Sequence, residues 1–446
     1  STLSSSSAAS DVYKRQGLNL AVIGGLHAAG KVLPKLFNSP LMEGLDPVAK
    51  ADGSQRLWRA DLAGYGNAIE LPSTLQPNAL GQYAHEGTWY IRMDGQLYAQ
   101  GLDSDTGRWR IVHPSDQQAY QPVLEHNGDG AWWCEHEAPQ DWSDSQLVRR
   151  LGLALEALDD RELGHALKIT GVDRCRLQAI YLAGAPTPVL LADTLERMKL
   201  AKQFADLPPA ALMAAYEYPP NLAEQKLRDA FAHLSTPLAA RLLARLCVAE
   251  QADWVGTGTL PNWLRAEAEQ ASADLPLSRA LEGLYVPGLA NADSDRLVLA
   301  CLERQPQWPA ALRLEIRANS PDGPLLMAIG SESASQRCLL LKSAQGFEAY
   351  RGEHPVPDTV HGDLYQAVFA AAPAPLKAAL GDVETLQARI RHFAETDRQA
   401  WPARLWGIGA KRTPLRLRLA GGKPTNPLPP PSLSHNAWAG RCLLYT

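Results

Sequence analysis

The spacing of apolar residues changes twice along this chain, and that change restricts the fold more than any single motif. From about Leu57 to Trp142 the period is two. Trp89, Ile91 and Met93 alternate with Tyr90 and Arg92, the pattern of a strand with one buried face. Asp94-Gly95 then offers the positive-φ pair of a tight hairpin, and "QLYAQ" returns. A second turn at "DSDTG" leads into "RWRIVHP", where Trp109 and Ile111 alternate with Arg110 and Val112. Asn127-Gly128-Asp129-Gly130 precedes "AWW" and marks one further turn and strand. The expectation is a small antiparallel meander with an aromatic core.

From Asp144 to about Leu289 the period becomes helical. Leu147, Leu151, Leu155 and Leu158 fall on one face of an expected amphipathic helix. A short helix is expected around Glu162 to Ile169, ending at Gly171, with Asp173 as N-cap of the next and "VLLADTLERMKLAKQFADL" as a longer one. Short, Pro-punctuated connections predict antiparallel or stacked neighbours. From Pro309 the period returns to two: Leu312, Leu314 and Ile316 alternate with Arg313, Glu315 and Arg317, and "RCLLLKSAQGFEAYRG" reads as a hairpin closed by Ser343 to Gly346. Helices over Asp363–Ala372 and Val383–Ala394 complete a small α+β unit.

The fold class expected is therefore α+β multidomain: an antiparallel β-meander, then an all-helical domain, then a small α+β unit. The boundaries are 17–54 for an amphipathic helix and linker, 55–142 for the meander, 143–305 for the helices, 306–397 for the hairpin-helix unit and 398–440 for a basic, Pro-rich linker. That linker carries Arg398, Arg404, Lys411, Arg412, Arg416, Arg418 and Lys423 and ends in "NPLPPPS", which favours extended polyproline geometry.

The two ends, 1–16 and 441–446, are expected to be foreign to the protein. One codon set for Asp11–Gln16 ("DVYKRQ") has a reverse complement that, read one base out of frame, encodes Cys442–Thr446 ("CLLYT"). That shared element looks like the mosaic end of a transposase-based sequencing library, so both segments are set aside before fold reasoning. The expectation is a genuine chain running from about Gly17 to near Ala439, with both natural termini beyond it.

Composition narrows the function classes. A net charge of -5 gives no general case for nucleic acid binding. The cysteines Cys134, Cys175, Cys247, Cys301 and Cys338 are scattered without a C-x-x-C pair. That argues against a zinc site or disulfide framework and fits folding in a reducing cytosol. No cofactor and no metal is expected. The most apolar stretch, Gly17 to Leu33, places Leu18, Val22, Leu26 and Leu33 on one helical face as membrane-contact candidates. His27 and Lys31 interrupt it, so the stretch reads as a core helix, not a spanning one, with membrane contact as the alternative.

No catalytic residue is assigned. "WWCEHE" places Cys134 and His136 on the same face of an expected strand, beside two carboxylates, but two ligands without a second cluster do not make a metal site. "VHGDLY" offers His361 and Asp363. "AIGSESAS" lacks the G-x-S-x-G spacing of a nucleophile elbow, "GTGTL" at Gly256 lacks the lysine of a phosphate loop, and Asp159, Asp160 and Glu162 suit helix capping.

Two stretches together resemble a family. "GTWYIRMDGQLYAQ…GRWRIVHPSDQQAYQPVLEHNGDGAWW" is similar to the Y-x-x-x-x-G-x-x-Y…W-x-[IL]-V-x-P…Y-x-P…N-G-x-G-x-W pattern of very large, dermonecrotic-toxin-like bacterial proteins. "LKITGVDRCRLQAIYLAGAPTPVLLADTLERMKLAKQF" and "WPAALRLEIRANSPDGPLL" with its hairpin resemble the segments that follow in the same order. The resemblance spans roughly Leu57 to Leu419 and implies a secreted or host-delivered virulence protein, in which leucine-rich repeats and an IpaH-like ubiquitin ligase domain often follow. That ligase class uses a cysteine followed two residues later by aspartate. Here the residues at that spacing are His136, Leu177, Ala249, Glu303 and Leu340, so a ligase cysteine would lie downstream.

The function expected is a non-catalytic scaffold and interaction region, with the other domains of the parent protein and a host protein as partners. Two alternatives stand beside it. One is a hydrolase-like enzyme with a cleft between the helical and α+β domains, using His361, Asp363 or His136. The other is a membrane-engaging segment acting through 17–33.

Overall fold

The computed structural model describes residues 62–72, 74–351, 354–357 and 362–407 in full, and the backbone of two strands at 45–49 and 55–59. The stretch 17–33, both adapter-like ends, His361 and the proline-rich tail lie outside the described residues. The chain is α+β and multidomain, with antiparallel sheets, a helical run and a mixed sheet. Contacts divide it into two units, the first holding the chain up to Ala154 together with Gln178–Pro186, the second holding most of the rest.

In the first unit, β1 (Leu45–Ala49) and β2 (Gln55–Arg59) form an antiparallel hairpin. A second sheet contains β3 (Gly66–Asn67), β4 (Tyr83–His85), β5 (Thr88–Met93), β6 (Gln96–Leu102) and β7 (Trp109–Val112), in the order β3-β6-β5-β4 with β7 also on β6. Met93 pairs with Gln96 across the turn, where Asp94 at φ 49° and Gly95 at φ 76° adopt the left-handed pair that the sequence offers. β8 (Leu124–His126) and β9 (Trp132–Cys134) form a further hairpin. Ile91, Met93, Tyr98, Trp109, Ile111, Leu124, Trp132 and Cys134 make the core. Trp109 meets Trp132 edge-on at 6.4 Å, and the Trp132 indole N–H donates to the Leu80 carbonyl at 2.6 Å. Trp89, on the same alternation, is half-exposed at the strand's outer end.

The leucine stripe at 147–158 is corrected. α1 (Asp144–Arg149) starts with a Ser143–Gln146 capping box and stops after six residues. Gly152 follows at φ 78°, and a Cβ there would lie 2.0 Å from the Gly130 carbonyl oxygen. That close approach needs glycine on both counts. Leu147, Leu151, Leu155 and Leu158 are all buried nonetheless, so the period identified burial correctly and helix extent wrongly.

In the second unit, α2 (Asp160–Thr170) opens on an Asp159–Glu162 capping box and closes on Gly171 at φ 71°. Asp173 caps α3 (Arg174–Leu182) through the Arg176 N–H, a helix that starts in the second unit and ends in the first. α4 (Val189–Gln203) is buried on nearly every side, including Asp193, Thr194 and Arg197. α5 (Pro209–Tyr216), α6 (Leu222–Ala230), α7 (Thr236–Leu243), α8 (Val248–Thr257), α9 (Asn262–Tyr285) and α10 (Ala292–Glu303) follow. Leu227, Leu238, Leu242, Trp254, Leu264, Ala268 and Leu275 share one core with the start of α4.

The same unit carries a five-stranded sheet in the order β11-β10-β12-β13-β14, from β10 (Leu312–Ala318), β11 (Leu325–Ile329), β12 (Gln336–Ser343), β13 (Gly346–Arg351) and β14 (His354–Pro355). β10 pairs antiparallel with β11 and parallel with β12. The alternation holds in β10, with Leu312, Leu314 and Ile316 buried on one face; on the polar face Arg313 and Glu315 are buried as well, paired at 2.8 Å, with Arg317 also on Glu315 at 3.0 Å. α11 (Leu364–Ala371), α12 (Ala374–Leu380), α13 (Val383–Thr396) and α14 (Trp401–Trp406) complete the unit. At 398–407, the opening of the expected linker, Arg398 donates to the carbonyls of Lys168 and Ile169 at 2.9 and 2.8 Å, and α14 buries Trp401 completely.

Candidate functional site

The first unit contains a cleft of about 530 Å³ lined by Leu62, Gly64, Asp94, Tyr98, His136, Glu137 and Arg150, among others. Its organising group is Arg150, which directly follows α1 and is brought over the meander by the early end of that helix. The Arg150 guanidinium donates Nε to Asp94 at 2.7 Å, Nη1 to Glu137 at 3.0 Å and Nη2 to Glu137 at 2.6 Å. It also lies over the Trp142 ring at 4.8 Å. Glu137 accepts the Cys134 N–H at 2.6 Å, so one arginine joins the β5–β6 turn, the segment after β9 and the end of α1. Burial of this guanidinium is offset by its two carboxylates, which hold it firmly protonated.

The residues singled out from sequence are thereby placed. Cys134 is fully buried in β9; burial first, then the Glu137 charge, pushes its thiol well above the ordinary range, the opposite of what a nucleophile needs. His136 lies beyond β9, in the turn before Glu137, and lines the cleft. Asp363 belongs to the second unit, where it caps α11 by accepting the Gln366 N–H at 2.8 Å. His361, Leu18, Val22, Leu26 and Leu33 lie outside the described residues. Gly256–Leu260 is the end of α8, closed by Gly258 at φ 76°. Ser331 and Ser333 hydrogen-bond to each other at 2.8 Å on an exposed turn.

Sequence reasoning missed Arg150. Its only signal was a second arginine at a point where the expected helix would have turned it to solvent. Among the described residues no group of three or more His, Cys, Asp or Glu is arranged to hold a metal ion, and no helix is long and apolar enough to cross a membrane. No known protein family, no curated protein and no solved structure matches the chain.

Proposed function

We propose that this chain is a non-catalytic scaffold and interaction region of a large secreted bacterial toxin or effector, with any ubiquitin-ligase or other toxic activity carried elsewhere in the parent protein. The observation that carries the non-catalytic reading is how the cleft uses its charges. Arg150 binds both Glu137 and Asp94, and the neighbouring thiol is buried and held protonated. Such an arrangement uses the charges to fix elements in place, not to hold a base beside a nucleophile. The resemblance of the meander and the segments after it supplies the toxin context. Half-exposed Phe204, Leu207 and Tyr218 and the exposed Leu222 offer apolar surface to other domains or to a host protein.

Two measurements test this reading. The chain and its His136→Ala variant, assayed on ester, phosphomonoester and amide reporter substrates, are expected to show equal background rates; turnover that falls with His136→Ala would overturn it. Sequencing the uninterrupted gene is expected to reveal a downstream Cys-x-Asp ligase or another toxic domain. A stop codon immediately after the proline-rich tail would count against the effector context.

A further inference from the structure

A second cleft, of about 410 Å³, lies wholly within the second unit, lined by Arg197, Glu217, Gln225, Arg228, Asp229, His233, Leu234, Ser235 and Arg279. Its size falls in the roughly 300–1,000 Å³ range of small-molecule sites. Its charges are layered. Arg197, Leu234 and Ser235 are buried, while Glu217, Asp229 and His233 are exposed.

Behind the lining, Arg197 binds Glu282 through Nε and Nη2 at 2.8 to 3.1 Å, and Arg279 bridges Glu282 at 2.6 Å and Asp193 at 2.7 Å. The Arg197 guanidinium also lies over the Tyr216 ring at 5.3 Å; these contacts leave Arg197 Nη1 without a hydrogen-bond partner among the described residues, although the residue is only 5% exposed, and that nitrogen is not among the atoms sealed from solvent. Arg228 donates Nε to the Leu234 carbonyl at 3.1 Å and Nη1 to the Thr236 hydroxyl at 3.0 Å, leaving Nη2 open. The wall these bonds hold includes His233 at φ 69°, a backbone conformation uncommon outside glycine and concentrated at binding sites.

At the exposed positions the two carboxylates are each half used. Glu217 accepts the Thr236 N–H at 3.0 Å through one oxygen, and Asp229 accepts from Gln225 at 2.6 Å through one oxygen. A lone anion entering this cleft would gain two guanidinium donors and meet two carboxylates. A ligand carrying both charges satisfies each group. We propose that this cleft binds a free α-amino acid or peptide-like zwitterion, its carboxylate on Arg197 Nη1 and Arg228 Nη2 and its ammonium on the free oxygens of Glu217 and Asp229.

The test is calorimetric titration of the whole chain with L-alanine, L-leucine and L-glutamine, each beside its N-acetyl and methyl-ester forms, and with inorganic phosphate. At least one free amino acid is expected to bind saturably, with either blocked form weaker by about tenfold, since each loses one charge-assisted contact. Failure of all three to bind would overturn the proposal, as would phosphate or a blocked form binding as tightly as the free amino acid. Arg228→Gln is expected to weaken binding by about tenfold or more. If that variant loses its fold by circular dichroism, the exposed Asp229→Asn replaces it. Affinity unchanged by the folded variant would sink the assignment.

Discussion

The two units hold buried arginines in different ways. In the meander, Arg150 is clamped by Glu137, whose side chain is 17% exposed, and by Asp94, whose side chain is 49% exposed. In the helical unit, Arg197 and Arg279 face Glu282 and Asp193 with 0% and 1% exposure. The first is a clasp at the edge of a small core; the second is a neutral quartet inside a large one. Water can replace part of what Arg150 loses when a partner is removed. In the quartet the carboxylates themselves are out of water, so the same chemical change carries a larger cost.

The largest expected effect is therefore Glu282→Ala. Among the described residues it removes the only carboxylate bonded to buried Arg197 and leaves Arg279 with Asp193 alone, and it should destabilise the helical unit by about 3–5 kcal/mol, read as lost hydrogen-exchange protection in peptides from α4 and α9 with the meander peptides unchanged. Loss spread equally over both units would break the comparison. Arg150→Met should cost about 1–3 kcal/mol, confined to the β5–β6 turn, β9 and α1. Asp94→Asn, which keeps a residue tolerant of the left-handed turn, should change stability by less than about 1 kcal/mol, because the group it removes is half in water.

Acid should separate the units as well. Burial would raise the Asp193 carboxyl, but Arg279 and Arg197 outweigh it and hold it below its ordinary value. A carboxyl depressed in the folded state stabilises above its unfolded pKa of about 4, and that contribution is lost as pH falls through the lower folded value. Protection of α4 and α9 should accordingly decline only below about pH 4, and Arg279→Met should move that decline upward. The smallest effect is local: Asp103 is held at about 2, chiefly by its hydrogen bond from Arg110. Arg110→Ala should return it toward about 4 by NMR titration with little change in fold.

Legibility in the sequence followed the range of the interaction. The Asp94-Gly95 turn, the Asp159–Glu162 and Asp173 caps and the Ser343–Gly346 hairpin are local and appeared as expected. Alternation marked the polar face of β10 but not that Arg313 and Glu315 would be buried there by ion pairing with each other and with Arg317. The first cleft was half legible: "WWCEHE" pointed to His136 and Glu137, while Arg150 and the distant Asp94 gave no sign of meeting there. Nothing pointed to the second cleft. Its arginines come from three separate helices, α4, α6 and α9, and look like ordinary solvent-facing charges until those helices are assembled.

By itself the sequence determined the α+β class, the order of strand and helix, the turns and the caps, because period and backbone preference act within a few residues. Tertiary structure alone decided where α1 stops, that the polar face of β10 is buried and which charges become partners. Those choices depend on groups brought together from 50 to 90 residues apart, as Arg150 with Asp94 and Arg279 with Asp193 are. The free energy of burying a charge depends on what lies opposite it once the chain has closed.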